Sequence, residues 1–213
     1  MFTSHLSKRA SVLAAATMLT AGAAVGVTFA SGADATVKNT SFDMVRSAAS
    51  VNAKCLTDAR VHVTIQSKGP VEVMNVAADH LPPRTDFDLF VIQVPNAPFG
   101  VSWYQGDLES DGGGHAHGTF VGRFSIETFT VAPGVAPAPD VFHGAFPDAT
   151  TNPAFNPVQM YHLGLWFNSP KDAAAAGCAA TVTPFNGPHD AGVQAFNTRN
   201  FPDQSGPLRN IQP

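Results

Sequence analysis

The sequence predicts an all-β domain: a sandwich or barrel-like sheet of about seven or eight short strands, with one short helix and one disulfide. Three observations predict this class. Apolar and polar residues alternate with a period of two in several segments. Turn formers are frequent, with 18 Gly and 17 Pro among 213 residues, whereas charged residues make up only 13%. One segment alone carries the start and stop signals of a helix.

The chain begins with the features of an export signal. Lys8 and Arg9 precede an uncharged run from residue 11 to 30 that is rich in Ala, Gly and Thr, and Ala33-Asp34-Ala35 offers the small residues that a signal peptidase recognises. An apolar run of this length could otherwise serve as an uncleaved anchor. We expect residues 1–35 to be a cleaved signal peptide, and the mature chain to be secreted with no membrane segment.

Composition divides the remaining chain in two. Residues 36–54 are polar and rich in Ala, Ser and Asn, and we interpret them as a polar leader with one short strand near Phe42. Residues 55–213 are predicted to form a single β-rich domain. Its last part is rich in Asn, Pro, Gly and Phe, and we expect this C-terminal tail to dock on the body of the domain.

The strands are predicted from hydrophobic period. Val61, Val63 and Ile65 alternate with polar residues, and residues 71–77 form the expected return strand. Residues 87–94 and 159–167 are apolar on both faces, as central strands are. Further strands are predicted at 102–105, 119–126, 127–131, 141–146 and 193–197, with a Gly-rich acidic loop at 107–118 and an extended linker at 133–139.

One helix and one disulfide complete the prediction. Ser169 can cap a helix that has Pro170 at its first position and ends at Gly177. This helix leads to Cys178, whose only possible partner within the chain is Cys55. Two cysteines in an exported chain usually pair. The alternative, a reactive thiol or a metal ligand, lacks a C-x-x-C motif or a neighbouring His.

The charge balance excludes one class of partner. The chain has a formal net charge of −4 and no run of basic residues. Nucleic-acid binding requires a basic patch that neutralises phosphates. We therefore expect no nucleic-acid partner.

A histidine pair is the first candidate for chemistry. His115 and His117 form an H-x-H motif, and His162 and His189 could complete a copper or zinc site. The pair is flanked by glycines, which favours the alternative of solvated loop histidines.

The same segment has half of a calcium-loop pattern. Acids at alternate positions, Asp107, Glu109 and Asp111, precede Gly112. The twelfth position, which should supply a bidentate Glu, is Gly118. A hairpin tip whose acids face water is the favoured alternative.

Two carboxylates share one face at the start of a predicted core strand. Asp86 and Asp88 are separated by one residue, and like charges at that spacing could raise a pKa. A solvated strand end is the simpler interpretation.

Aromatic residues offer a candidate binding surface. Trp103, Tyr104 and Trp166, together with His189, could form a platform for a sugar or a protein partner. Core packing of these rings is the favoured alternative.

The most distinctive stretches are LPPRTDFDLFVIQVPNAPFGVSWYQGD, YHLGLWFNSPKDAAAAGC and TPFNGPHDAG. In these the chain resembles a group of uncharacterised secreted β-rich proteins from high-GC Gram-positive bacteria (actinobacteria). The resemblance covers most of the mature chain. It implies a secreted β-rich domain, and it brings no established activity and no residue roles.

These observations predict a secreted, non-catalytic β-sandwich that acts by binding at the cell envelope or on an extracellular ligand, without a cofactor. Copper, zinc and calcium are the weaker cofactor candidates named above. The alternative function is an extracellular metal-dependent oxidoreductase or hydrolase that uses the histidine cluster.

Overall fold

Eight antiparallel strands form one nearly closed, barrel-like sheet. The computed structural model describes residues 39–126, 128–131 and 157–212. The strands of the main sheet are β1 (Asn39–Arg46), β2 (Arg60–Ser67), β3 (Glu72–Asp79), β4 (Asp86–Ile92), β5 (Ser102–Glu109), β6 (Ala116–Gly122), β9 (His162–Phe167) and β10 (Gln194–Asn197), and a separate two-stranded sheet holds β7 (Phe129–Val131) and β8 (Pro157–Gln159). The strand order of the main sheet is β5-β4-β9-β10-β1-β2-β3-β6. The predicted all-β class is confirmed.

The two edge strands meet at one end only. Ser110 after β5 and Ala116 in β6 form a β-bridge across the turn that joins these strands. Farther along, the ring of Phe120 lies against Gly106, where a Cβ atom would be 2.7 Å from the ring. The barrel therefore closes by a bridge and then by side-chain packing.

The segment predicted as a polar leader contains the strand expected near Phe42, which is longer than expected, and a short helix that was not predicted. Its residues include β1, which lies between β10 and β2, and the short helix α1 (Ala48–Ala53). Phe42 and Met44 are buried, while Ser41 and Asp43 face solvent. Ser47 caps α1 by accepting a hydrogen bond from the backbone N–H of Ser50.

The prediction of a loop over residues 107–118 is wrong at both of its ends. β5 continues to Glu109, β6 begins at Ala116, and a tight turn joins them. Asp111 closes this turn, because its Oδ1 accepts hydrogen bonds from the backbone N–H groups of Gly113 and His115. The acids in the sequence marked a strand end and a turn, not an extended loop.

The predicted helix and disulfide are confirmed. Helix α2 (Pro170–Ala175) is capped by Ser169, whose side chain accepts from the N–H of Asp172. Cys55 and Cys178 are bonded, with their Cα atoms 5.3 Å apart. The predicted strand at 159–167 is split into β8 and β9.

The C-terminal tail packs on the barrel. A 3₁₀ helix (Pro207–Asn210) buries Leu208, and Ile211 is also fully buried. The N–H of Leu208 donates to the carbonyl of Tyr161, and the carbonyl of Ile211 accepts from Ile126. The signal peptide at 1–35, the linker at 133–139 and the strand at 141–146 are predictions that lie outside the described residues.

The core has two layers around β4. Phe87, Leu89 and Val91 point into the barrel and join its main core. Phe90 and Ile92 point outward and join Trp166 in a second, smaller cluster. This second layer explains why β4 is apolar on both faces, as the sequence predicted. Among the described residues, no helix has the length and apolar character needed to cross a membrane.

Candidate functional site

A row of four polar residues crosses four neighbouring strands on the outer face of the barrel. Asp88 of β4 is paired in register with Asp107 of β5 and with Trp166 of β9. Gln194 of β10 is paired with Trp166 on the other side. Directly opposed residues of antiparallel strands project to the same face. We call these four residues the polar row.

Three members of the polar row each bury one polar atom that has no hydrogen-bond partner among the described residues. Asp88, Trp166 and Gln194 are 3%, 0% and 5% exposed. In the described part of the chain, Asp88 Oδ2, Trp166 Nε1 and Gln194 Nε2 have no hydrogen-bond partner. The one other such atom found there is Glu72 Oε1, which lies 3.4 Å from Nη1 of Arg123. Buried polar groups without partners typically cost about 1–3 kcal/mol each, so their concentration in one row marks a site.

Burial sets the protonation of Asp88. Desolvation, followed by the charge and the hydrogen bond of Asp107, raises the pKa of Asp88 from 3.8 to about 7. The carboxylates of Asp86 and Asp190 add smaller contributions in the same direction. Near neutral pH the pair of Asp88 and Asp107, which we call the acid pair, therefore holds one proton in a large fraction of molecules.

A β-bulge brings Tyr104 to the same face as the acid pair. The register of β4 and β5 shifts so that Leu89 faces Gly106 while Phe90 faces Tyr104. Gln105 is thus the extra residue, and the positive φ of Gly106, +153°, accommodates the bulge. Without the bulge, Tyr104 and Asp107 would project to opposite faces.

Tyr104 forms the exposed edge of the site. Its hydroxyl donates to Oδ1 of Asp107 at 2.7 Å, and its side chain is about half exposed, at 51%. Its ring packs edge-on against Phe90, with centroids 5.7 Å apart. Burial, the hydrogen bond to Asp107 and nearby negative charge raise the pKa of Tyr104, so the hydroxyl stays protonated as a donor.

Three phenylalanines cover Trp166. Phe185 stacks on the indole with ring centroids 4.7 Å apart and planes 16° apart, and Phe99 and Phe90 contact the indole edge-on at 5.0 and 5.3 Å. The indole lies over Gly164, where any Cβ atom would collide with it. We call Phe90, Phe99 and Phe185 the aromatic cover.

The loop that carries Phe185 also places Asp190 at the rim. Asn186 holds this loop, since its Nδ2 donates to the carbonyl of Asn168 at 3.0 Å. Its Oδ1 accepts from the N–H groups of Asp190 and Ala191 at 2.9 and 3.1 Å. Asn186 therefore fixes the carboxylate of Asp190 close enough to Asp88 to help raise the pKa of Asp88.

No protein cation balances these acids within the described ranges. The ion pairs found there join His62 to Asp43, His115 to Asp79 and Arg123 to Glu72. None of these pairs includes a carboxylate of the acid pair, Asp86 or Asp190. The site therefore presents net negative charge beside an exposed aromatic ring.

The predicted histidine ligands lie in different settings. His115 is exposed, and its Nδ1 lies 2.7 Å from Asp79 Oδ1, a contact that raises the pKa of His115. His117 is exposed on the outer face of β6, opposite Ala77, and His189 is exposed beside Asp190. Over residues 39–126, 128–131 and 157–212, no group of three or more His, Cys, Asp or Glu side chains could hold a metal ion. The metal site stays a prediction.

His162 has a structural environment. Its Nδ1 lies 2.8 Å from Thr198 Oγ1, and its Nε2 lies 3.0 and 3.2 Å from the carbonyl oxygens of Asp203 and Pro202. Burial lowers the pKa of this histidine, which favours a neutral ring with Nε2–H as donor. Both ring nitrogens are thus used to attach the segment after β10.

The three aromatic rings predicted to form a binding surface differ in their burial. Trp103 is partly buried and packs against the main core, and Trp166 is fully buried under the aromatic cover. Of the three predicted rings, Tyr104 is the exposed one. The sequence interpretation named Tyr104, Trp166 and Asp88 but missed Asp107 as the partner of Asp88, and it missed Gln194.

A surface depression lies beside β1, β2 and β3. It has a volume of about 500 Å³, and its lining includes Arg46, Arg60 and His62. His62 Nδ1 is 2.6 Å from Asp43 Oδ1, so part of its polar lining is already paired within the protein. The polar row, with its unpaired buried atoms, is the stronger candidate.

Comparisons of the chain with protein-family models, with curated proteins and with solved structures find no match.

Proposed function

We propose that this chain is a secreted, non-catalytic domain that acts by binding at the cell envelope or on an extracellular ligand. Its binding surface would be the rim formed by Tyr104, Asp107 and Asp190. The observation that carries the proposal is the buried carboxyl of Asp88, unpaired at Oδ2, directly beside the exposed edge of Tyr104 and Asp107.

The chemistry of the rim supports recognition. A half-exposed tyrosine offers apolar area together with a fixed hydroxyl, and neighbouring carboxylates offer hydrogen-bond acceptors. An apolar residue at position 88 would pack into the outer layer beside Phe90 without an unpaired polar atom. The protein keeps an acid there despite its desolvation cost, as binding sites do.

The burial of Asp88 favours binding over carboxylate catalysis. Hydrolysis by two carboxyl groups requires both of them to reach the substrate. Asp107 is exposed, whereas Asp88, beside it on the neighbouring strand, is 3% exposed. A binding surface needs only the outer carboxylate to make contact, and the inner one to tune it.

Two features support secretion. The first 35 residues have the charge and apolar pattern of an export signal. The bond between Cys55 and Cys178 suits the oxidising conditions outside the cytoplasm.

The proposal is tested with the mature, disulfide-bonded protein and a panel of probes: neutral dextran, anionic alginate, cationic chitosan and purified cell-wall fragments. We expect retention by at least one probe, with Tyr104→Ala weakening it about tenfold, the effect of losing an aromatic anchor. Val121→Ala, at an exposed position on β6, is the matched control and should bind as wild type. Retention by no probe, or retention that Tyr104→Ala leaves unchanged, would contradict the proposal.

A further inference from the structure

We propose that the ligand carries an alkylammonium group that binds at the exposed carboxylate of Asp107, and that the charge of this cation displaces the proton that Asp107 otherwise shares with the buried Asp88. This inference rests on the proposed function, because it names the ligand chemistry and the pH control of the same surface.

The two carboxyl groups of the acid pair lie so close together that they need a positive charge beside them. Asp88 and Asp107 are directly opposed on β4 and β5, and Oδ2 of Asp88 has no donor among the described residues. Two ionised carboxylates can only accept hydrogen bonds, so they repel each other unless a proton or a cation offsets their charge. The proton does so between the two carboxyls, whereas a cation would do so from the exposed side of Asp107, and the two therefore compete electrostatically.

Other groups near the acid pair add to its negative charge. On β4 itself lies Asp86, on β5 lies Tyr104, and the loop before β10 contributes Asp190, with the exposed His189 next to it in the chain. β9 and β10 contribute neutral side chains to the row, Trp166 and Gln194. Asp86 and Asp190 therefore add negative charge around the acid pair, and no ion pair in the described chain neutralises any of these carboxyl groups.

The titration of Asp88 agrees with such competition. Its pKa is raised to about 7, so the proton is held below neutral pH and released above it. A cation would bind weakly at acidic pH and more tightly at alkaline pH. Tyr104 keeps its proton over this range and donates to Asp107 in both states.

An ammonium group fits the surroundings better than a divalent metal. Calcium takes six to eight oxygen ligands, and the described residues contain no group of three acids or histidines in metal-binding geometry. An alkylammonium needs only a few acceptors, and the half-exposed ring of Tyr104 offers a face for a cation–π contact. We therefore infer an amine-bearing ligand.

The test measures binding of 1,5-diaminopentane at pH 5.5 and 8.5 by calorimetry, with uncharged 1,5-pentanediol as the matched probe. The amines stay protonated throughout, since alkylammonium groups titrate near 10.4. Competition with a proton of pKa about 7 predicts binding about 30-fold tighter at pH 8.5. Repeating the titration in buffers of different ionisation heat should reveal close to one proton released per amine bound at pH 5.5, and almost none at pH 8.5.

Two variants make the result specific. Asp88→Asn should remove the pH dependence and the proton release, while Asp58→Asn, at an exposed acid that does not contribute to the pKa shift of Asp88, should retain both. Equal affinity at the two pH values, or a pH dependence that survives Asp88→Asn, overturns the inference. Tighter binding of Ca²⁺ than of the diamine overturns the choice of ligand class.

The two proposals can fail separately. Equal binding of the diol and the diamine, both lost in Tyr104→Ala, would keep the binding surface and reject the cation. Binding of dextran or alginate without any binding of the diamine would do the same. Absence of binding by every probe would reject both.

Discussion

Replacing Asp88 by Asn should change how the free energy of unfolding depends on pH. The side chain keeps its size, but it no longer titrates. In the folded protein the pKa of Asp88 is about 7, against 3.8 as its ordinary value. Between these pH values the unfolded chain releases a proton that the folded protein keeps, so this carboxyl lowers stability as pH rises.

The magnitude follows from the size of the shift. Each pH unit across this window is worth about 1.4 kcal/mol for a fully retained proton. Because Asp107 is exposed and solvent screens its charge, we expect a total on the order of 3 kcal/mol between pH 4 and pH 8. The stabilising contribution is complete below pH 3.8, is lost as pH approaches 7, and changes little above that value.

Urea denaturation at pH 4.5, 6, 7 and 8.5 measures the effect. Asp88→Asn should match the wild type within about 1 kcal/mol at pH 4.5 and exceed it by about 2–3 kcal/mol at pH 8.5. Other titrating groups, such as Asp111 and His162, affect both proteins equally, so the difference between the two isolates position 88. Asp58→Asn, at an exposed acid that does not contribute to the pKa shift of Asp88, is the control and should follow the wild-type curve. A wild-type-minus-variant difference that is constant across these pH values would refute the reasoning.

Four further predictions concern the rest of the molecule. Reducing the disulfide, which closes a loop of 123 residues, should lower the unfolding free energy by about 5 kcal/mol, measured by urea denaturation with and without reductant; an unchanged midpoint would contradict the chain-entropy account. Phe185→Ala should cost about 2–3 kcal/mol and shift the fluorescence of the buried tryptophan to longer wavelength, whereas the exposed Val182→Ala should do neither. His162→Phe should speed amide hydrogen exchange in residues 198–212, because it removes the imidazole bonds to that segment, and unchanged exchange would make the histidine dispensable there. Mass spectrometry of the exported protein should find Thr36 as its first residue, and an intact residue 1–35 segment would reject signal cleavage.

The elements that were predicted well are those whose signals are local. Ser169, Pro170 and Asp172 specify the start of α2 within four residues, and the structure has the helix there. The disulfide pairing could be predicted without knowledge of the strand register, because the chain has only two cysteines. Local chemistry and simple counting were sufficient in both cases.

The errors arose where exposed polar residues obscure the length of a strand. A strand near Phe42 is predicted, but Ser41 and Asp43 face solvent, so composition does not reveal the full eight residues of β1. In the same way, the acids of β5 resemble a calcium or surface loop. A barrel strand with one face in solvent needs few apolar residues. Composition alone therefore underestimates the length of such a strand.

The partners in the acid pair could not be predicted, because they depend on strand register. Asp86 and Asp88 share a face by their spacing alone, but the structure buries only Asp88. Asp107 becomes its partner through the pairing of β4 with β5, and Tyr104 joins it only through the bulge at Gly106. A shift of one residue in that register would turn these side chains to the other face.

One signal in the sequence did point to the site. In β4 the residues around Asp88 are apolar on both faces, which means that a second layer covers the outer face of this strand. In a strand such as β2, with one face in solvent, an acid at an outward position is ordinary. In β4 the same position is buried, so an acid there conflicts with its surroundings. Such local conflicts are expected at functional sites, where the neighbouring structure compensates for them. Here the compensation is the proton shared with Asp107. Displacement of that proton by a ligand cation would give the buried acid a role in binding.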